Sequence, residues 1–187
     1  MSAGPEWGPL ARLAGIWEGD GGEDVAYGNV EDHMIVTPFR EHIDFKPFGP
    51  VENGSQVLYG LDYRMAAWRR GEDLPFHTEV GYWLWDAADG QVMRGFIVPR
   101  GSAVLAGGPA APEATSFELA AECGSEVYGI LSNPYLARGA RSAAYRARVR
   151  VEGDVFSYEE ETAIEHARWP EPIRHTDRNR LHRVAAA

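Results

Sequence analysis

The sequence predicts an all-β fold, an antiparallel β-barrel of about ten strands opened by one short helix. Three observations predict it. Runs that alternate apolar and polar residues recur along the chain at a spacing of roughly 8–15 residues. The 187-residue chain carries 21 Gly, 12 Pro and 11% aromatic residues, a mix that suits short strands joined by turns better than a helix bundle. No GxGxxG or GxxxxGK[ST] element precedes a helix, which argues against a nucleotide-binding α/β fold. A meander of this kind closes on itself because closure removes exposed edges. The length suits one domain over residues 1–187, with a core from about 7 to about 184.

The elements follow in order. "PEWGPLARLAGIW" (Pro5 to Trp17) places Leu10, Leu13 and Ala14 on one helical face, and Gly15 is a natural stop. "TPFREHIDFKP" puts Phe39, Glu41, Ile43 and Phe45 on one strand face. "QVLYGLDYRMAAW" gathers Val57, Tyr59, Leu61, Tyr63 and Met65. "PFHTEVGYWLWD" is joined through the turn "AADG" to "QVMRGFIVPRG", and "SAVLAGG" continues the pattern. "GGPAAPEA" reads as a surface loop, and "TSFELAAE" and "VYGILS" as short strands. Tyr145 to Val151 pairs with Val155 to Glu165 around the turn "EGD". "RHTDRNRLHRV" is the last strand.

Charge and cysteine content narrow the function. A net charge of −10 disfavours sequence-independent nucleic-acid binding, which needs a basic face, and disfavours anionic membrane surfaces. The single Cys123 excludes an intrachain disulfide and a Cys-based zinc site, and reads as an ordinary small residue. No stretch approaches the length of a membrane-spanning helix. No basic region followed by an apolar stretch marks a signal peptide at the N-terminus. The expected setting is cytoplasmic, with a small molecule as partner and no nucleic acid or membrane; a homodimer is compatible. His33, His42, His166 and His182 show no zinc spacing and read as surface residues.

Three strands carry chemistry. In the strand over 76–85, one face holds Phe76, Thr78, Val80, Tyr82 and Leu84 and resembles an ordinary core face. The other holds His77, Glu79, Gly81, Trp83 and Trp85, and would make a binding wall in which Gly81 leaves space. Alternation does not choose between them. In the next-to-last strand Phe156, Tyr158, Glu160, Thr162 and Ile164 share a face, and the triplet Glu159–Glu161 reads as a solvated rim. In the last strand His175, Asp177, Asn179 and Leu181 are the inward set, because Thr176, Arg178, Arg180 and His182 form a wet, basic face. Buried polar groups need partners. For Asp177 and Asn179 the expectation is a satisfied structural network. His175 stands at the strand's entry, where a barrel mouth would lie.

These residues resemble a known family. "LARLAGIWEGDG", "FREHIDF", Tyr63 to Trp68, "FHTEVGYW", "PRG" and a late "GDxxSY" strand pair are similar to the nitrobindins, haem-binding barrels of fatty-acid-binding-protein-like, lipocalin-like shape. The resemblance spans nearly the whole chain. Its most specific piece is H-x-E-x-G-Y (His77, Glu79, Gly81, Tyr82); L-x-G-x-W-x-G (Leu13, Gly15, Trp17, Gly19) is more widespread. The resemblance implies haem b near the barrel mouth, iron ligated by His175 (cofactor and metal ligand together), and His77 on the distal side. Glu79, Tyr82, Trp83 and Met65 are the expected wall residues. It also implies nitric oxide binding or the isomerisation of peroxynitrite to nitrate. Two departures mark a divergent sister branch with a more polar cavity. "WEGDGGEDVAYGNVED" stands where the family has a GxGxYP-like stretch. Asp177 and Asn179 stand where apolar residues would suit a porphyrin, and an unpaired carboxylate there is costly.

The second reading is a carrier without metal, holding a fatty acid or another apolar molecule. Such carriers anchor a carboxylate on an inward Arg, for which Arg94, Arg100 and Arg178 are the candidates. A hydrolase reading lacks a nucleophile and an oxyanion site.

Overall fold

Alternating runs of this kind bury one face of each strand only when every strand has two neighbours. In the computed structural model, which describes residues 3–187, that requirement is met by a closed barrel. Its strands are β1 (Gly15–Gly28), β2 (His33–Asn53), β3 (Gln56–Arg69), β4 (His77–Asp86), β5 (Gln91–Val98), β6 (Ser102–Pro109), β7 (Ser116–Cys123), β8 (Gly129–Ser132), β9 (Ala140–Glu152), β10 (Val155–His166) and β11 (Ile173–Ala185). The order around the barrel is β1-β11-β10-β9-β7-β8-β6-β5-β4-β3-β2, so the first and last strands close it. The pairings are antiparallel except for the short parallel contact of β7 with β8. The strand added to the ten expected is β1, which runs through the "GDGGED" stretch, while β8 answers to the expected "VYGILS".

The N-terminal helix stops before Gly15, the expected terminator. A 3₁₀ helix runs over Pro5–Arg12, broken at Gly8, and β1 begins at Gly15. Trp17 cannot stay helical because its indole is fully buried in the barrel, donating to the Leu13 carbonyl at 2.7 Å. Gly15 is required where it stands: its φ is +124°, and a Cβ there would lie 2.4 Å from the Ala185 carbonyl oxygen. The helix plugs one end of the barrel. Leu10 and Leu13 are buried, and Trp7 donates to the Gly60 carbonyl at 2.9 Å.

A second helix, α1 (Pro134–Gly139), was not expected. Its signal is Asn133 followed by proline: the Asn133 carboxamide oxygen accepts from the Tyr135 and Leu136 amides at 2.9 and 3.0 Å. At the plugged end the core is dense and aromatic. Phe45, Tyr63, Trp83 and Phe156 meet mostly edge to face. Toward the other end the interior opens.

Candidate functional site

Parity along each strand decides what lines the opening. On β4, His77, Glu79, Trp83 and Trp85 turn inward, while Val80 and Tyr82 are 41% and 53% exposed. The His77 face of that strand is therefore the inward one, and the core-face reading of its other side does not hold. Tyr82 is corrected: it lies outside the barrel with its ring against Phe48. Gly81 is corrected too. A Cβ there would sit 2.0 Å from the Gly95 carbonyl oxygen, so glycine permits the approach of β5 and leaves no space in the cavity.

The cavity measures about 460 Å³. Phe39, Met65, Phe76, Phe96, Val104 and Ile130 contribute apolar wall, and His77, Glu79, Arg94, Glu160, His175 and Asp177 contribute polar groups. His77, Glu79, Met65, Trp83 and His175 thus all reach one cavity. A larger open groove of about 710 Å³ lies on the outer face of β7, β9, β10 and β11. It is walled by charges already matched across strands, among them Arg148 with Glu118 and Arg178 with Glu23, so we do not place the site there.

The polar interior has three layers. At the rim, Asp24 on β1 lies directly across from Asp177 on β11. His175 joins them: its Nε2 is 2.6 Å from Asp24 Oδ1 and 3.2 Å from Asp177 Oδ2. Burial works against charging the ring, but the hydrogen bonds to Asp177 and Asp24 prevail and push its pKa up to about 10. Burial pushes the Asp177 carboxyl up, against the pull of His175. Asp177 therefore belongs to the rim cluster, whereas Asn179 sits deeper in the structural network expected of it.

The middle layer is built on Arg94. Its Nη2 donates to Glu79 at 2.6 Å, its Nη1 to Tyr145 Oη at 2.5 Å and to Glu160, and its Nε to Tyr63 Oη at 3.3 Å. Tyr63 donates to Glu79 at 2.8 Å, and the other Glu79 oxygen is 3.2 Å from His77 Nε2. Burial alone would raise the Glu79 pKa, but Arg94 and His77 hold it down to about 2. His77 is raised: the Glu79 carboxylate outweighs burial. Glu160, read from sequence as part of a solvated rim, is buried against Arg94 instead. Of the three arginine candidates, Arg94 alone is buried; Arg178 pairs with Glu23 on the outer face, and Arg100 is exposed.

The third layer is built on Glu41, also buried. Tyr158 Oη and Asn179 Nδ2 each donate to its Oε2 at 2.8 Å. Burial raises its pKa to about 7, despite those two bonds. Beside Arg94, the Trp83 indole N–H is buried with no hydrogen-bond partner among the described residues. Asp24 and Glu41 carry no site role in the sequence reading, whereas Arg94 is one of its three anchor candidates; Asp24 lies in the "GGED" stretch that departs from the family pattern.

This arrangement defines a class: a closed β-barrel that binds a small molecule in one polar-floored cavity. Residues 6–183 match the THAP4-like, heme-binding beta-barrel domain, and the chain belongs to that family. Two bacterial proteins named peroxynitrite isomerase, from Clavibacter michiganensis subsp. michiganensis and Clavibacter sepedonicus, are each 38% identical to it over 77 residues. That match takes in 40% of this chain and 33% of each relative. The crystal structure of Rv2717c from M. tuberculosis shares the fold, with a TM-score of 0.64 at 21% identity over 93% of this chain and 94% of that one.

Proposed function

We propose that the cavity binds ferric haem b, with His175 as the axial ligand and His77 on the distal side, and that nitric oxide or peroxynitrite is handled there, peroxynitrite being isomerised to nitrate. One observation carries the reading: in a chain of this family, the last-strand histidine stands at the rim of an apolar-walled cavity. The donor set fits the group. Both contacts of His175 run through Nε2, so a metal would take Nδ1 in place of its proton. A ring anchored to a carboxylate through one nitrogen and giving the other to a metal is the usual way of orienting a ligating histidine. Phe39, Met65, Phe76 and Val104 supply wall for a flat apolar group.

Bound haem would supply an iron centre with an open position for a small ligand. The protein's part is orientation and charge. Asp24 fixes the His175 ring, and the two rim carboxylates favour the more positive, ferric state. Glu79 holds the His77 ring on the cavity wall through Nε2. A cytoplasmic setting belongs to the same proposal.

The carrier reading is less well supported. Glu79, Glu160, Tyr63 and Tyr145 already occupy the Arg94 fork. A fatty-acid carboxylate would meet no free cation there, and two carboxylates would repel it.

Titration with ferric haem tests the proposal. A Soret band distinct from that of free haem should saturate at one equivalent and be lost or shifted in His175→Ala. A spectrum equal to free haem plus protein, or an unchanged His175→Ala titration, would sink it.

A further inference from the structure

The rim cluster makes a second kind of site possible. Asp24 and Asp177 are register partners on β1 and β11, so two carboxylates face each other directly across the barrel's closing seam. Like charges placed opposite one another on neighbouring strands are destabilising. Here burial sharpens the conflict: Asp24 is only 8% exposed. The group between them is the His175 ring, with Nε2 2.6 Å and 3.2 Å from the two carboxylates, and carboxylates facing each other call for a cation beside them. The arginines of β11 next to the cluster do not supply it. Arg174 is paired with Glu161 and Arg178 with Glu23, both on the outer face.

We propose that Asp24, His175 and Asp177 form a site for one divalent first-row transition-metal ion. The geometry is that of a converging donor set. One nitrogen and two carboxylate oxygens lie within 4.8 Å of one another. Ligands ~2.1 Å from an ion in tetrahedral array stand ~3.4 Å apart, so small side-chain adjustments would admit the ion. An imidazole beside two carboxylates favours iron, cobalt, nickel or zinc over magnesium or calcium, which take oxygen donors alone. Three protein ligands leave at least one position open to the cavity, as in sites that bind a further small ligand. On binding, the ion takes the Nε2 lone pair, any proton held there leaves to solvent, and the two carboxylates then meet a charge of +2. The inference goes beyond the haem reading and does not rest on it: haem iron would take one donor, the second ring nitrogen, whereas this ion takes Nε2 and both carboxylates.

The test is a titration of the haem-free, metal-free chain with Co²⁺, read by its visible d–d absorption and by isothermal calorimetry. Asp24→Asn, Asp177→Asn and the double variant are titrated alongside. All four proteins are first checked for a cooperative unfolding transition, and the near-isosteric amides keep the fold testable. Intensified cobalt bands should saturate at one equivalent, with affinity at least tenfold lower in each single variant. Bands matching the hydrated ion, or equal uptake by the double variant, would overturn the proposal. The haem reading is decided separately by the Soret titration of the unsubstituted chain, so either can fail while the other stands.

Discussion

Arg94 and Glu79 are held 2.6 Å apart in the middle of the barrel, both almost wholly out of water. The strands that carry them are neighbours, with Trp83 opposite Arg94 in register. Glu160 reaches the same guanidinium from β10. One cation therefore ties together two segments of wall far apart in sequence, and its removal should be costly in a way that its partners' removal can repair.

Arg94→Met is expected to destabilise the protein by about 3–5 kcal/mol, the cost of leaving buried carboxylates without their counter-charge. Adding Glu79→Gln and Glu160→Gln to the same chain should recover more than half of that loss. Urea unfolding of the single and triple variants checks this; a triple variant no more stable than the single one would contradict the pairing.

Glu41 sets the pH dependence near neutrality. Its carboxyl titrates at about 7 in the folded chain, against an ordinary value of 4.5. The folded state thus holds the proton more tightly than the unfolded state does. The stability this contributes is fully present below about pH 4.5 and is lost as pH rises through about 7. Between pH 5 and 8 the unsubstituted chain should lose up to about 3 kcal/mol that Glu41→Gln does not lose. Glu79 acts at the other limit: its lowered carboxyl gives stability present above pH 4.5 and lost as pH falls through about 2. Urea midpoints measured from pH 5 to 8 for the two chains decide the first point.

Gly81→Ala should be among the most damaging single-methyl changes on the molecule. The added Cβ meets backbone, the Gly95 carbonyl oxygen at 2.0 Å and the Phe96 Cα at 2.8 Å. Backbone cannot step aside without parting β4 from β5, so a loss of at least about 2 kcal/mol is expected. Gly21→Ala is the control. Nothing lies within 4 Å of its Cβ, and the change should fall within about 0.5 kcal/mol of neutral. Comparable melting temperatures for the two variants would refute the packing argument.

Tyr82→Ser should leave ferric haem titration within twofold of the unsubstituted chain, because Tyr82 stands on the outer face beside Phe48. Met65→Ser, on the cavity wall, should weaken it by at least tenfold. A large effect at Tyr82 alone would mean that the outer surface takes part in binding.

Much of this was legible from parity. The spacing of His77 and Glu79 put both on one face, and the last strand separated His175, Asp177 and Asn179 from a wet basic side. Parity also separated Tyr82 from His77, and grouping the two by shared motif obscured that. Arg94 alternates with Val92 and Phe96, a pattern that favours it over Arg100 and Arg178. Other features had no local signal. Glu160 reads as one of three surface glutamates until β10 is placed near Arg94, which lies 66 positions earlier in the chain. Asp24 acquires meaning only when β1 meets β11. Such contacts depend on closure, and closure is not written in any short stretch.

The seam between β1 and β11 joins residue 16 to residue 185 and is interrupted between Glu18 and Glu23. It unites the most distant parts of the barrel, and loop closure over such a span is slow. The cavity rim is made from both sides of that seam. The inner hairpins can form early, yet the cavity has no complete rim until β11 docks on β1. A ligand bound at that rim would add its affinity directly to the hold of β1 and β11 on each other.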